Sequence, residues 1–251
     1  MSPPETRELI GISNDAEHAM TIPVVHQSPP NPRAAGENRR TLDSHGVICV
    51  SVGGATGAGK TALLEAILPR LRPALNIAVI MGDATGAGDA RRIAALGIPV
   101  VQVLTDGACR LAAHQVQHGM AELPLPKLDL LIIEDVGGAV CHLRTDLGEH
   151  VRAAVVSIAG GHLVTTKYAD AFRDARLILL TKYDLLSHVD FDLDAAVRTL
   201  GLANPGGEII CTDTRRRLGI DRAAGWLLGY VRAHRMRRLR RRAAAPVWLH
   251  T

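Results

Sequence analysis

Seven short apolar stretches punctuate this chain: Val47–Val52, Ile77–Met81, Val100–Leu104, Leu128–Ile133, Val151–Ile158, Leu177–Thr181 and Glu208–Cys211. Most are rich in Val, Ile and Leu at successive positions rather than alternate ones, as expected of parallel strands buried on both faces. Helical segments lie between most of them and supply the crossovers that parallel strands need. The pattern predicts an α/β fold with a doubly wound, mostly parallel sheet and helices on both faces. In such a sheet the ligand lies beyond the carboxyl ends of the strands. No internal repeat is visible.

The ends depart from this pattern. Residues 1–36 are rich in Pro, Ser, Asn and Glu, include Pro29-Pro30-Asn31-Pro32, and show no sustained periodicity, so they read as a largely disordered arm. A short helix over 34–43 is expected to lead into the first strand. The formal charge is +4, yet seven arginines fall between Arg232 and Arg242 with no acid after Arg232, which leaves −3 for the rest. The basic character therefore belongs to a tail over 232–251 and not to the domain over 37–231. A solvated tail is the plain reading; contact with an acidic partner, nucleic acid or anionic lipid is the other. Aromatics are only 3% of the chain, which weighs against a nucleic-acid reader built on stacked rings. Cys49, Cys109, Cys141 and Cys211 are too scattered for a disulfide scaffold, no secretory pattern opens the chain, and no apolar run spans a membrane, so a cytoplasmic protein without membrane insertion is expected.

The strongest chemical signal is Gly54-Ala55-Thr56-Gly57-Ala58-Gly59-Lys60-Thr61, which follows the first strand and opens a helix. Glycines let backbone N–H groups converge on phosphate oxygens, and the helix adds its positive end. Lys60 is expected at the β- and γ-phosphates and Thr61 on magnesium, which makes the fold that of a P-loop NTPase. A structural glycine turn is the competing reading, and the full eight-residue pattern in its strand-loop-helix context weighs against it. Asp83 and Glu134 stand at or just past later strand ends, placed to hold magnesium or its water, and the amide of Gly137 is placed to sense the γ-phosphate. Thr181-Lys182-Tyr183-Asp184 ends another strand. Asp184 can accept from two nitrogens of guanine, and the Lys182 stem can cover the base. An exposed helix start is the plain alternative there.

Further segments carry a family resemblance: Glu37-Asn38-Arg39-Arg40, Gly82-Asp83, Gly97-Ile98-Pro99-Val100-Val101-Gln102, Cys109, His114, Glu134-Asp135-Val136-Gly137, Val140-Cys141, Asp146-Leu147-Gly148-Glu149, Lys167-Tyr168, Thr181-Lys182-Tyr183-Asp184-Leu185-Leu186 and Val189-Asp190-Phe191-Asp192. From about Glu37 to Tyr230 the chain resembles the HypB-type GTPases of nickel-iron hydrogenase maturation. These belong with the urease accessory GTPases and use Glu-x-x-Gly, as at Glu134 and Gly137. The resemblance implies GTP with magnesium, a homodimer when GTP is bound, and nickel insertion into a hydrogenase large subunit with a small zinc- and nickel-binding accessory protein.

The resemblance also implies a nickel or zinc site at Cys109 and Cys141, but Arg110 stands where that site's histidine belongs, and a guanidinium does not ligate a metal. His142 is placed to supply the missing imidazole. His114, five positions after Cys109, fits less well, and both cysteines can equally be read as small buried hydrophobes. The first stretch holds His18 and His26 but no cysteine cluster or histidine run, so nickel storage there is not expected. Thr181 replaces the usual Asn, Cys211-Thr212-Asp213-Thr214-Arg215-Arg216-Arg217 replaces a Ser-Ala-rich loop that helps contact guanine, and Val164 replaces a lysine. Two rivals stay open: an ATP-dependent P-loop kinase, and a divergent nucleotide-binding paralogue acting as a non-enzymatic interaction module.

Overall fold

The computed structural model describes residues 31–83, 88–105, 108, 110–137, 145–161, 165 and 167–244. Seven parallel strands form one sheet in the order β3-β2-β4-β1-β5-β6-β7: β1 (Ile48–Gly54), β2 (Ile77–Asp83), β3 (Val100–Leu104), β4 (Leu130–Glu134), β5 (Val151–Ser157), β6 (Leu177–Thr181) and β7 (Glu208–Cys211). All seven expected strands are present, and every named pairing is parallel.

Because side chains alternate across a strand, the apolar runs serve two cores at once. Ile48, Val50 and Val52 pack with Leu63, Leu64, Ile67, Leu68 and Leu71 of α2 (Lys60–Leu71) and with Ala223, Leu227 and Val231 of the last helix. On the other face Cys49, Ile80, Leu131 and Ile133 pack with Leu42 of α1 (Asn31–His45) and with Val116 and Met120 of α4 (Ala113–Ala121). A third core joins β5 and β6 to Phe172 and to Ala196 and Leu200 of α5 (Leu193–Ala203). Each fully buried Leu or Ile stabilises by roughly 1.5–3 kcal/mol, so the two covered faces hold the strand ends in fixed register. A short helix, α3 (Gly88–Ala94), precedes β3.

Two boundaries differ from expectation. Helix α1 starts at Asn31, so residues 31–36 are helical, while residues 1–30 lie outside the described part. Pro32 is tolerated because first-turn N–H groups have no intrahelical acceptor. The Asn31 side chain donates to Asp146 O (2.7 Å) and accepts from Ala113 N (2.8 Å). Buried Asn38 donates to Ala113 O (2.7 Å) and Leu147 O (2.9 Å). Contacts with residues so far along the chain leave no local periodicity to read.

The boundary at 232 likewise falls inside a helix, α6 (Ile220–Ala244), which carries the basic stretch onward from the core. Arg235 bonds Asp129, Arg238 donates to Ser44 O (3.3 Å), and His234 lies edge-on to His150 with ring centroids 5.2 Å apart. The start of the basic run is therefore anchored, not merely solvated.

Candidate functional site

At the carboxyl end of the sheet, β1 passes into the loop 55–59 and α2. Its register sets Val52 opposite Glu134 of β4 and Gly54 opposite Val155 of β5. A Cβ at Gly54 would run into the Val155 carbonyl oxygen, so only glycine lets the two backbones lie this close. Gly57 and Gly59 take φ of 72° and 92°, the left-handed region that turns the loop around its own centre.

The loop is lined by charged groups held under strain of desolvation. Lys60 Nζ folds back to Gly54 O (3.1 Å) and Ala55 O (3.4 Å), and burial lowers its pKa against the support of Glu134 and Asp135. Thr61 Oγ1 lies 2.7 Å from Glu134 Oε1 and 3.0 Å from Asp89 Oδ2. A hydroxyl has one proton to donate. With both carboxyls ionised, one of these contacts would set lone pairs against each other, so the arrangement calls for a proton or a cation. Burial pushes the Glu134 carboxyl up to about 7, with Thr61 and Lys60 opposing the rise, and Glu134 Oε2 is buried without a hydrogen-bond partner. A hydroxyl and two carboxylates, one of them with an orphaned oxygen, are hard donors of the kind a magnesium ion takes.

Asp83, at the end of β2, lines the same cavity of about 390 Å³ as Thr56, Lys60, Thr61, Glu134 and Gly137. The Thr56 hydroxyl donates to Gly137 O (2.5 Å), and a Cβ at Gly137 would come within 2.7 Å of Thr56 Oγ1 and 3.1 Å of Lys60 Nζ. Gly137 thus touches the loop, while it is the carbonyl of Gly137 that makes this bond. Asp135 shapes the approach by accepting from Leu111 N and Val136 N, both at 2.8 Å.

A second cavity, of about 290 Å³, opens on the other flank of the loop between Ala55, Gly57, Ala58, Ser157, Gly160 and Lys182. Thr181 Oγ1 donates to Ala58 O (2.6 Å) and Lys182 takes a left-handed φ of 60°, so the strand end is tied directly to the phosphate loop. Asp184 sits half-buried in the first turn of the 3-10 helix Tyr183–His188 and does not line this cavity. The segment after β7 lies alongside: Tyr183 N donates to Thr212 O (3.2 Å), and buried Asp213 accepts from Arg215 N (2.9 Å) and Arg216 N (3.1 Å).

Asp89 and Ser157 were not among the expected site residues. Asp89 is marked in the sequence only as an acid opening a short helix; Arg92, three residues on, bonds it (2.7 Å) and pairs with Glu65. Ser157 ends β5, and its Oγ is buried without a partner. The expected nickel or zinc ligands Cys109, Cys141 and His142 lie outside the described residues.

A different group, Asp43, His150 and His234, brings three potential ligand atoms within 4.8 Å of one another. His150 Nδ1 accepts from Cys49 N (2.9 Å), so the proton sits on Nε2, which faces Asp43 Oδ1 at 3.3 Å. Neither ring nitrogen is left for a cation, and the group serves as an anchor for α6.

Comparison with known proteins agrees with this geometry. Residues 48–210 match the family model described as CobW/HypB/UreG, nucleotide-binding domain. The hydrogenase maturation factor HypB of Azotobacter vinelandii is 38% identical over 197 residues, covering 78% of this chain; the match spans 65% of that relative's own length. The crystal structure of the hydrogenase maturation factor HypB from Archaeoglobus fulgidus superposes with a TM-score of 0.74 at 33% identity, covering 80% of this chain and 98% of that one. HypB from Helicobacter pylori, solved in complex with nickel, gives 0.76 at 25% identity, covering 81% and 95%.

Proposed function

The chain belongs to the CobW/HypB/UreG nucleotide-binding family and groups there with the HypB proteins; on that premise we propose that it is a GTP-hydrolysing accessory protein for nickel insertion during nickel-iron hydrogenase maturation. The observation that carries the nucleotide half is the placement of Thr61, Asp89 and Glu134 under the phosphate loop, with one buried carboxylate oxygen unsatisfied.

In this reading the N–H groups of 54–61 cradle the phosphates and Lys60 swings from the Gly54 and Ala55 carbonyls to the β- and γ-oxygens. Thr61, Asp83 and Glu134, with Asp89 added, hold magnesium directly or through water. Magnesium held by these residues would supply positive charge against the negative charge that develops on the phosphate oxygens. Thr181 and Lys182 receive guanine on the other flank, and Asp184, which stands outside that cavity, reaches the base once the turn Tyr183–His188 shifts toward it. No described side chain is placed as an evident general base, so positioning and electrostatics carry the acceleration and turnover is slow. Gly137, pressed against Thr56 and Lys60, reports loss of the γ-phosphate. The GTP-bound form is a cytoplasmic homodimer that passes nickel, held at Cys109 and Cys141 with His142, between a small zinc- and nickel-binding accessory protein and the hydrogenase large subunit.

Two measurements test the halves separately. Competition of GTP and ATP for a fluorescent nucleotide, with phosphate release followed in parallel, is expected to show GTP preferred and slowly hydrolysed. ATP preference would make the chain a kinase-like protein, and tight binding without hydrolysis in the presence of dimer and partner would make it an interaction module. Titration of nickel and zinc into the GTP-analogue-loaded protein is expected to give one metal per dimer, abolished by Cys109→Ala or Cys141→Ala. A dimer indifferent to both metals would leave the GTPase and remove the metal-delivery role.

A further inference from the structure

We propose that the outward face of α6 beyond Val231 binds the surface of an anionic lipid bilayer. Up to Val231, which is fully buried, the helix packs its apolar side chains into the core. Beyond that point the inward positions become His234, Arg235 and Arg238, which set the helix against the His150 ring, Asp129 and Ser44 O. The outward positions change as well. Met236 is 53% exposed and Leu239 is 59% exposed. At 100° per residue these two lie in one sector of about 60°. Arg232 and Arg240, both exposed, lie along and beside that sector, and exposed Arg237 follows on the far side.

A helix that is basic only for solubility has no use for an outward Met and Leu in one sector. A Met–Leu pair with arginines in and beside its sector is an arrangement suited to a lipid interface, with the two apolar side chains below the headgroups and the guanidinium groups, on their long stems, among the phosphates. The sequence continues the theme: no acidic residue follows Asp221, and Val247-Trp248-Leu249 comes seven residues after Arg240, with Trp of the type favoured at membrane interfaces. Charge complementarity is local to this helix. The chain outside the seven arginines carries −3 and would be repelled by an anionic surface, so attachment depends on α6. No helix among the described residues is long and apolar enough to cross a membrane, and the contact proposed is peripheral. It is independent of the nucleotide reading.

The test uses the full chain and sedimentation with vesicles of phosphatidylcholine alone or mixed with phosphatidylglycerol. Binding to the mixed vesicles only, weakening with salt, is expected. The Arg232→Gln/Arg237→Gln/Arg240→Gln variant is expected to lower partition on the order of a hundredfold, about fivefold for each arginine. Met236→Ser/Leu239→Ser is expected to lower it at least tenfold. None of the five side chains lines either nucleotide cavity, so nucleotide affinity stays unchanged in both variants and reports that each is folded. Equal binding to both kinds of vesicle would overturn the proposal. So would tighter binding to a single-stranded RNA probe that the serine pair leaves unaffected, since that would assign the arginines to nucleic acid.

Discussion

The two ends of the sheet both bury charge, but they treat it differently. At the amino end of β5, Glu149 is closed on every side: Oε1 accepts from Arg152 Nε (2.9 Å), Oε2 accepts from Leu147 N (2.8 Å), and next to it His150 has both ring nitrogens engaged. At the carboxyl end, Thr61 faces two carboxylates with a single proton, Glu134 Oε2 has no partner, and Ser157 Oγ is likewise alone. The first arrangement stabilises the fold. The second stores an unmet demand for a cation and for donors, which is what a nucleotide site needs before its ligand arrives.

If that contrast is right, damage at the two ends reads out in different currencies. The largest effect is expected at the closed end. Arg152→Met leaves Glu149, whose side chain is 4% exposed, as an uncompensated buried charge. Stability should fall by about 3–5 kcal/mol, seen as a lower midpoint in urea, while phosphate release per folded molecule is retained. Equal loss of both would erase the distinction between the ends. Lys60→Ala is the converse. Phosphate release should drop on the order of a hundredfold to a thousandfold with the urea midpoint little changed, because the lysine is already disfavoured by burial. Thr181→Val comes third. It removes the 2.6 Å bond to Ala58 O that ties β6 to the loop, and nucleotide affinity should weaken by about fivefold, matching about 1 kcal/mol for one such bond. An unaltered dissociation constant in fluorescence titration would show that the loop holds its shape without β6.

The same contrast explains what the sequence reveals. The strands are legible because burial on both faces demands apolar residues at successive positions, and the phosphate loop is legible because its chemistry is local: glycines, lysine and threonine act within eight neighbours. Glu134 follows from its place at a strand end. Asp89 is not legible, since its meaning comes from Thr61, 28 residues away. Nor is the start of α1, fixed by Asn31 to Asp146 across 115 residues, or the anchoring of α6 by His234 and Arg235. Periodicity records which face is buried, not which distant partner closes a hydrogen bond. Asp184 shows the limit from the other side: a motif names the residue, yet its side chain does not line the cavity beside Lys182.

The smallest effect discriminates the two ends most finely, because burial moves their titrating groups in opposite directions. Burial lowers the His150 pKa below its ordinary 6.5 against the pull of Asp43, and Nδ1 cannot take a proton without losing Cys49 N. Above 6.5 the folded and unfolded chains are both neutral at this ring. As pH falls from 6.5 through the folded value, the unfolded chain binds a proton that the folded chain refuses, so stability is lost on the acid side. Glu134 has the other sign. Its carboxyl, raised by burial from 4.5 to about 7, favours the folded state fully below 4.5, and that contribution is lost as pH rises toward 7. In urea titrations with chelator present, His150→Gln should therefore flatten the loss of stability below pH 6.5, and Glu134→Gln should flatten the loss between 4.5 and 7. His234 titrates in the same direction as His150, so part of the acid slope is expected to survive the first substitution. An acid slope identical in wild type and His150→Gln would mean that the ring is not held in its neutral form, and the closed end would then be less closed than its hydrogen bonds indicate.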